Sequence, residues 1–115
     1  MEHPNQITDS IYWLGTGIRT GGAVFNPYLL VSGNEAVLFD PGPVSESQAV
    51  AENIAKICPL ENVTHCIVHN TSPSACASLS VLQSRGMSAK IYAHQRGQGQ
   101  MLAYGLSGEI HYITE

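Results

Sequence analysis

The side chains able to do chemistry in this sequence crowd into one stretch. His65 and His69 stand four apart, Asn70, Ser72 and Ser74 follow at alternate positions, and Cys76 closes the run. Asp40 lies upstream, before Pro41 and Gly42, and His94 and Arg96 flank Gln95 downstream. Imidazole, carboxylate and thiolate are the donors that iron and zinc prefer, so a metal site is the first chemistry to weigh. On one strand His65 and His69 share a face, but at ~3.3 Å per residue they lie ~13 Å apart, too far to chelate one ion. His69, Cys76 and His94 are a conceivable ligand set if the fold brings them to one sheet edge; surface or hydrogen-bonded histidines are the alternative. Cys76 opens an expected helix, whose dipole would lower its pKa and make a reactive thiol. The alternative is a buried cysteine serving as a small hydrophobe. His94 and Arg96 suit an anion, or are scaffold residues. Gly15, Thr16 and Gly17 lack the lysine and the strand-loop-helix context of a phosphate loop. No Ser-His-Asp arrangement follows from these spacings.

Elements must position these groups. Residues 7–14 read as a first strand, and residues 15–22, with four glycines, as a loop. A second strand over residues 23–32 is interrupted by Asn26-Pro27, which marks an edge or a bulge. Gly33-Asn34 is a turn, and residues 35–40 form a third strand. Ser45 and Gln48 have capping-box spacing at a helix start, and Val50, Ile54 and Ile57 form its apolar face. Residues 63–68 are a fourth strand whose apolar run predicts burial on both faces. A polar loop over residues 70–74 leads to a helix presenting Ala75, Leu79 and Leu82. Residues 89–93 are a fifth strand, residues 101–104 the end of a short helix, and residues 110–113 a last strand. Antiparallel strands followed by alternating helix and strand predict an α/β fold with a mixed sheet and helices on one face.

Composition narrows the partners. The chain has 115 residues, a net charge of −4 and only 12% charged residues, against ~25% in ordinary domains. An isoelectric point near 5.6 with scattered basic residues argues against nucleic acid. No apolar run is long enough to span a membrane, and Met1-Glu2-His3-Pro4 does not open a signal peptide. Three cysteines are too few for a disulfide scaffold, so a reducing, cytoplasmic setting is expected.

Asn26-Pro27-Tyr28-Leu29-Leu30 followed by Ala36-Val37-Leu38-Phe39-Asp40-Pro41-Gly42 resembles the opening of the metallo-β-lactamase fold, in its oxygen-binding diiron, flavodiiron-like branch. Cys76-Ala77-Ser78-Leu79, Tyr92-Ala93-His94-Gln95-Arg96 and Tyr104-Gly105 continue the likeness in order. The resemblance implies half of an αββα sandwich: residues 1–115 as a single metallo-β-lactamase-like half domain. It also implies a metal loop of the form His-x-(Asp/Glu)-x-Asp, supported from behind by Asp40. Aligned on Cys76, those ligand positions hold Asn70, Ser72 and Ser74, so the metal-ligand motif is lost. The expectation is therefore a non-catalytic pseudoenzyme with no metal, no cofactor and no catalytic residue. It would act in assembly or binding, as a homodimer through the sheet face. Two other expectations stand beside it: a sensory or regulatory domain of a larger signalling protein, and a diiron oxygen or nitric oxide reductase relative or metal-dependent hydrolase.

Overall fold

The computed structural model describes residues 5–15 and 26–114. The expected glycine loop beyond Gly15 and the start of the second strand, residues 23–25, lie outside them. Among the described residues seven strands form one sheet in chain order: β1 Asn5–Gln6, β2 Ile11–Trp13, β3 Tyr28–Ser32, β4 Glu35–Phe39, β5 Val63–Ile67, β6 Lys90–His94 and β7 Ile110–Ile113. Strands β1 to β4 pair antiparallel, and β4 to β7 pair parallel. The parallel strands are joined through α1 Ser47–Ala55, α2 Pro73–Cys76 with α3 Leu79–Ser84, and α4 Gln98–Ala103.

The helices bury one face of the sheet. Leu29, Leu38 and Ile91 from the strands meet Ile54, Leu79, Leu82 and Met101 from the helices, all fully buried in one cluster. Each such side chain contributes about 1.5–3 kcal/mol by leaving water. Asn53 of α1 is buried among them, and its Nδ2 donates to the Leu14 carbonyl at 2.8 Å, tying the helix to the end of β2.

Four local expectations are corrected. The first strand, expected from residue 7, starts only at Ile11, and β1 lies before it at Asn5–Gln6, because the Thr8 hydroxyl accepts from the amides of Ser10 and Ile11, both at 3.2 Å, and turns the chain. The capping box at Ser45 does not form. A 3-10 turn over Val44–Glu46 precedes α1, and Gln48 instead donates to Glu52 one helical turn on. Strand β5 is not buried on both faces: Val63 and Cys66 are buried, whereas His65 and Ile67 are only partly so. Those two buried positions are three apart because the register with β4 slips between Ala36 and Val37, leaving Thr64 as a bulge.

The helix expected across residues 75–82 is instead broken into α2 and α3, and the polar loop gives up Pro73 and Ser74 to α2. The turn after β4 causes the break. Gly42, at φ +96, donates its amide to the Ala75 carbonyl at 2.7 Å and accepts from the Ser78 amide at 3.0 Å. Backbone groups from another segment thus enter where the helix ladder would have run.

Candidate functional site

The parallel half of the sheet ends in a row of turns at its C-terminal edge, and most of the sequence candidates gather there. Strand β4 runs into Asp40, whose amide extends the ladder to the Ile67 carbonyl at 3.0 Å. Asp40 has φ +49, a left-handed conformation that Asp tolerates better than most residues. This turns its carboxylate onto His69. Oδ1 accepts from the His69 amide and Oδ2 from its Nδ1, each at 2.7 Å. Asp40 therefore holds the residue just before the Asn70 loop, by both backbone and ring.

The loop itself is tied by its own short side chains. Asn70 Oδ1 accepts from the Ser72 amide at 2.8 Å, and the Ser72 and Ser74 hydroxyls bond each other at 3.1 Å. Thr71 is gripped from the other side. Its hydroxyl donates to Gln100 Oε1, its carbonyl accepts from the Tyr104 hydroxyl at 2.5 Å, and its Cγ2 lies 2.2 Å from where a Cβ on Gly97 would sit. Hydrogen bonds and one close approach thus fix this loop.

That donor set does not fit an iron or zinc centre. Asn70, Ser72 and Ser74 supply neutral amide and hydroxyl oxygens already bonded within the loop, and the Asp40 carboxylate is spent on His69. Among the described residues no group of three or more His, Cys, Asp and Glu side chains is arranged to hold a metal ion.

Cys76 does not join His69 and His94. It ends α2 rather than opening a long helix, and its side chain is buried against Met101, with Sγ 4.0 Å from the methionine sulfur. Burial pushes its thiol up to about 11, the Tyr104 hydroxyl opposing and the Asp40 charge adding to the rise. This is the opposite direction from the helix-dipole expectation, since a four-residue helix offers little dipole and its C-terminal end the wrong sign. Burial likewise raises Cys66, and pushes the Tyr104 phenol up to about 12. These are inert rather than activated groups.

His69, His94 and Arg96 do come together. With Asn70, Thr71 and Gly97 they line an open cleft of about 270 Å3 at the sheet edge. His94 Nδ1 accepts from the Arg96 amide at 3.0 Å and so caps the 3-10 turn Gln95–Gly97 that starts this wall. His65 stays apart. It lies on the sheet face away from the helices, stacked at 5.9 Å on Tyr92, which meets His111 edge-on at 5.5 Å.

That helix-free face is a second candidate surface. Val37, His65, Ile67, Tyr92 and Ile113 line an apolar groove of about 410 Å3 across it. Sequence reading missed Thr71, Gly97 and Gln100. The available signal was Gly97 itself, a glycine three positions past β6 where no hairpin turn calls for one, so that close approach of another segment is the remaining reason.

Residues 24–115 match the family described as "ODP family beta lactamase". No curated protein sequence matches the chain. Among solved structures, the flavodiiron protein from Giardia intestinalis superposes with a TM-score of 0.81 at 15% identity, over 99% of this chain and 31% of its own. A point mutant of the flavo di-iron protein from Thermotoga maritima gives 0.80 at 24% identity, over 97% of this chain and 32% of its own. The native metallo-beta-lactamase from Legionella gormanii gives 0.77 at 12% identity, over 98% and 46%. These likenesses establish the fold. The chain spans about a third of the flavodiiron proteins and under half of the lactamase.

Proposed function

The chain belongs to the ODP family beta lactamase group, and we propose that within it this protein is a non-catalytic binding or assembly module that pairs its open sheet face with a second copy of itself. The observation that carries the reading is that face. Val37, Phe39, His65, Ile67 and Tyr92 are half-buried with no layer of the described residues above them, and Ile113 is 39% exposed. Across β4 to β7 its middle carries no carboxylate, and the Lys90 ammonium lies over the Tyr92 ring, 5.5 Å from its centroid. A two-fold pairing of identical sheets is a closed arrangement, and the expected burial is that of an ordinary stable interface, about 1,200–2,000 Å2 in total. The loss of catalysis is supported by the loop: Asn70, Ser72 and Ser74 are neutral and bonded to one another.

The test is mass in solution over a concentration series, with Ile67→Asp beside the native chain. A dimer that Ile67→Asp converts to a folded monomer supports the reading; a native chain that stays monomeric at high concentration overturns it. Metal analysis is the second arm. Iron or zinc at one or two equivalents per chain would restore the reading as a diiron reductase relative or metal-dependent hydrolase.

A second reading draws on the short span of the chain relative to its structural neighbours. In it the chain is a sensory or regulatory domain of a larger signalling protein, and a further segment of that protein covers the same face. The face is then covered in the longer polypeptide and the 115-residue chain is monomeric in the same experiment.

A further inference from the structure

The cleft at the sheet edge has a donor pattern that selects a ligand, and it goes beyond the assembly reading without depending on it. Of its five polar lining side chains, Thr71 already donates its hydroxyl proton to Gln100, and the other four are His69, Asn70, His94 and Arg96. Asn70 uses its Oδ1 on the Ser72 amide, which leaves its Nδ2 hydrogens unspent. Arg96 makes no side-chain hydrogen bond or ion pair among the described residues. His94 takes the Arg96 amide proton on Nδ1, so the proton of its neutral ring sits on Nε2 and is a donor. His69 is the reverse. Its Nδ1 donates to the Asp40 carboxylate, so Nε2 of its neutral ring is a lone-pair acceptor.

The cleft therefore offers three donor groups, one of them a guanidinium, and one acceptor. Asp40 is the carboxylate nearest in the network. It does not line the cleft, and both of its oxygens are engaged by His69. A carboxylate ligand would satisfy the donors and leave His69 facing a lone pair. A fully deprotonated tetrahedral anion would do the same. An oxyanion that retains one proton satisfies all four.

We infer that this cleft binds a protonated tetrahedral oxyanion, with hydrogen phosphate as its natural member. Arg96 and Asn70 take the charged oxygens, His94 donates to one of them, and the ligand hydroxyl donates to His69. The glycine at 97 lets this turn close on Thr71, and the grip on Thr71 keeps the Asn70 loop in place. No water or metal is needed for this pattern.

The experiment is calorimetric titration of the chelator-treated full chain at neutral pH with inorganic phosphate, and in parallel with sulfate. Chelation removes any contribution from a contaminating metal. Saturable phosphate binding, weakened about tenfold or more by Arg96→Ala, supports the site, since a charged hydrogen bond is worth at least that. Sulfate, which brings no proton, is expected to bind several-fold more weakly than phosphate. Absence of saturable phosphate binding overturns the inference, as does phosphate binding that Arg96→Ala and Asn70→Ala both leave unchanged. Sulfate bound as tightly as phosphate overturns the ligand class. Arg96 and Asn70 are exposed, so these variants are expected to fold, and circular dichroism of each confirms that a loss of binding is not a loss of structure. The readout is independent of whether the chain is a monomer or a dimer.

Discussion

The two faces of this sheet are built from the same strands and differ in what they ask for. On β4, Ala36 and Leu38 point to the helices and are buried, while Val37 and Phe39 point the other way and are half-covered. On β6, Ile91 and Ala93 are buried and Tyr92 is not. The covered face is aliphatic and closely packed. The open face mixes aliphatic with aromatic and imidazole side chains, stacked as His65, Tyr92 and His111 across three strands. Such rings present an apolar body and a polar edge, and they suit a surface that is part wet and part covered. The difference teaches that, among the described residues, the helices close one face of the sheet into a core and leave the other without a covering layer.

The largest expected effect breaks this comparison directly. Leu38→Ala removes a fully buried side chain between the sheet and the helices, and should cost about 2–5 kcal/mol. Val37→Ala, one residue away on the open face, should cost about 1 kcal/mol in dilute protein. Denaturant unfolding of both variants measures the ratio. Equal losses at low concentration would mean that the two faces do not differ. A Val37→Ala loss that grows with protein concentration would place that residue in an interface between copies.

Much of this architecture was readable from alternation and turn residues. The last strand is Ile110–Ile113 as expected, and Gly33, at φ +61, makes the two-residue turn between β3 and β4. The misses share one cause: backbone from elsewhere settled the outcome. The bulge at Thr64 is invisible in the run from Val63 to Val68, because only pairing with β4 reveals that Val63 and Cys66 face the same way. The break between α2 and α3 comes from Gly42, more than thirty positions upstream in the chain. At the candidate site, His69, His94 and Arg96 could be nominated by type, and so could Asp40. That Asp40 turns onto His69, and that Cys76 turns inward, depends on the φ of one residue and the length of one helix, which spacing does not encode.

The seam between the faces sharpens the comparison next. At Gly97 a new Cβ would lie 2.2 Å from Thr71 Cγ2 and 2.5 Å from its Oγ1. Thr71 is short, branched and bonded to Gln100, so it cannot swing away without loss. Gly97→Ala should therefore cost about 1–3 kcal/mol. Gly99, two positions on in α4, has nothing within 4 Å of its would-be Cβ. Gly99→Ala should stabilise by about 0.4–1 kcal/mol, through the unfolded chain. Opposite signs in thermal melts of the two variants confirm that close approach to Thr71, rather than helix propensity, sets the need for glycine at 97.

The smallest effect is absent at neutral pH and appears only in alkali, where it separates the covered side from the open one. The ordinary thiol value is 9.0, and burial on the helix side raises both Cys76, to about 11, and Cys66. A thiol raised on folding keeps its proton in the native state after the unfolded chain has begun to lose its own. The unfolded state then binds fewer protons, so stability is full below pH 9 and falls as pH rises from 9 toward 11. Cys76→Ala removes one of these groups. Its absolute stability should drop at neutral pH through lost packing against Met101. Its dependence on pH above 9 should nevertheless be shallower than that of the native chain. Midpoints of denaturant unfolding measured on both sides of pH 9 test this. An unchanged slope in Cys76→Ala would mean that this thiol reaches water in the folded chain, and that the covered face is less closed at its C-terminal edge than the burial of Cys76 against Met101 implies.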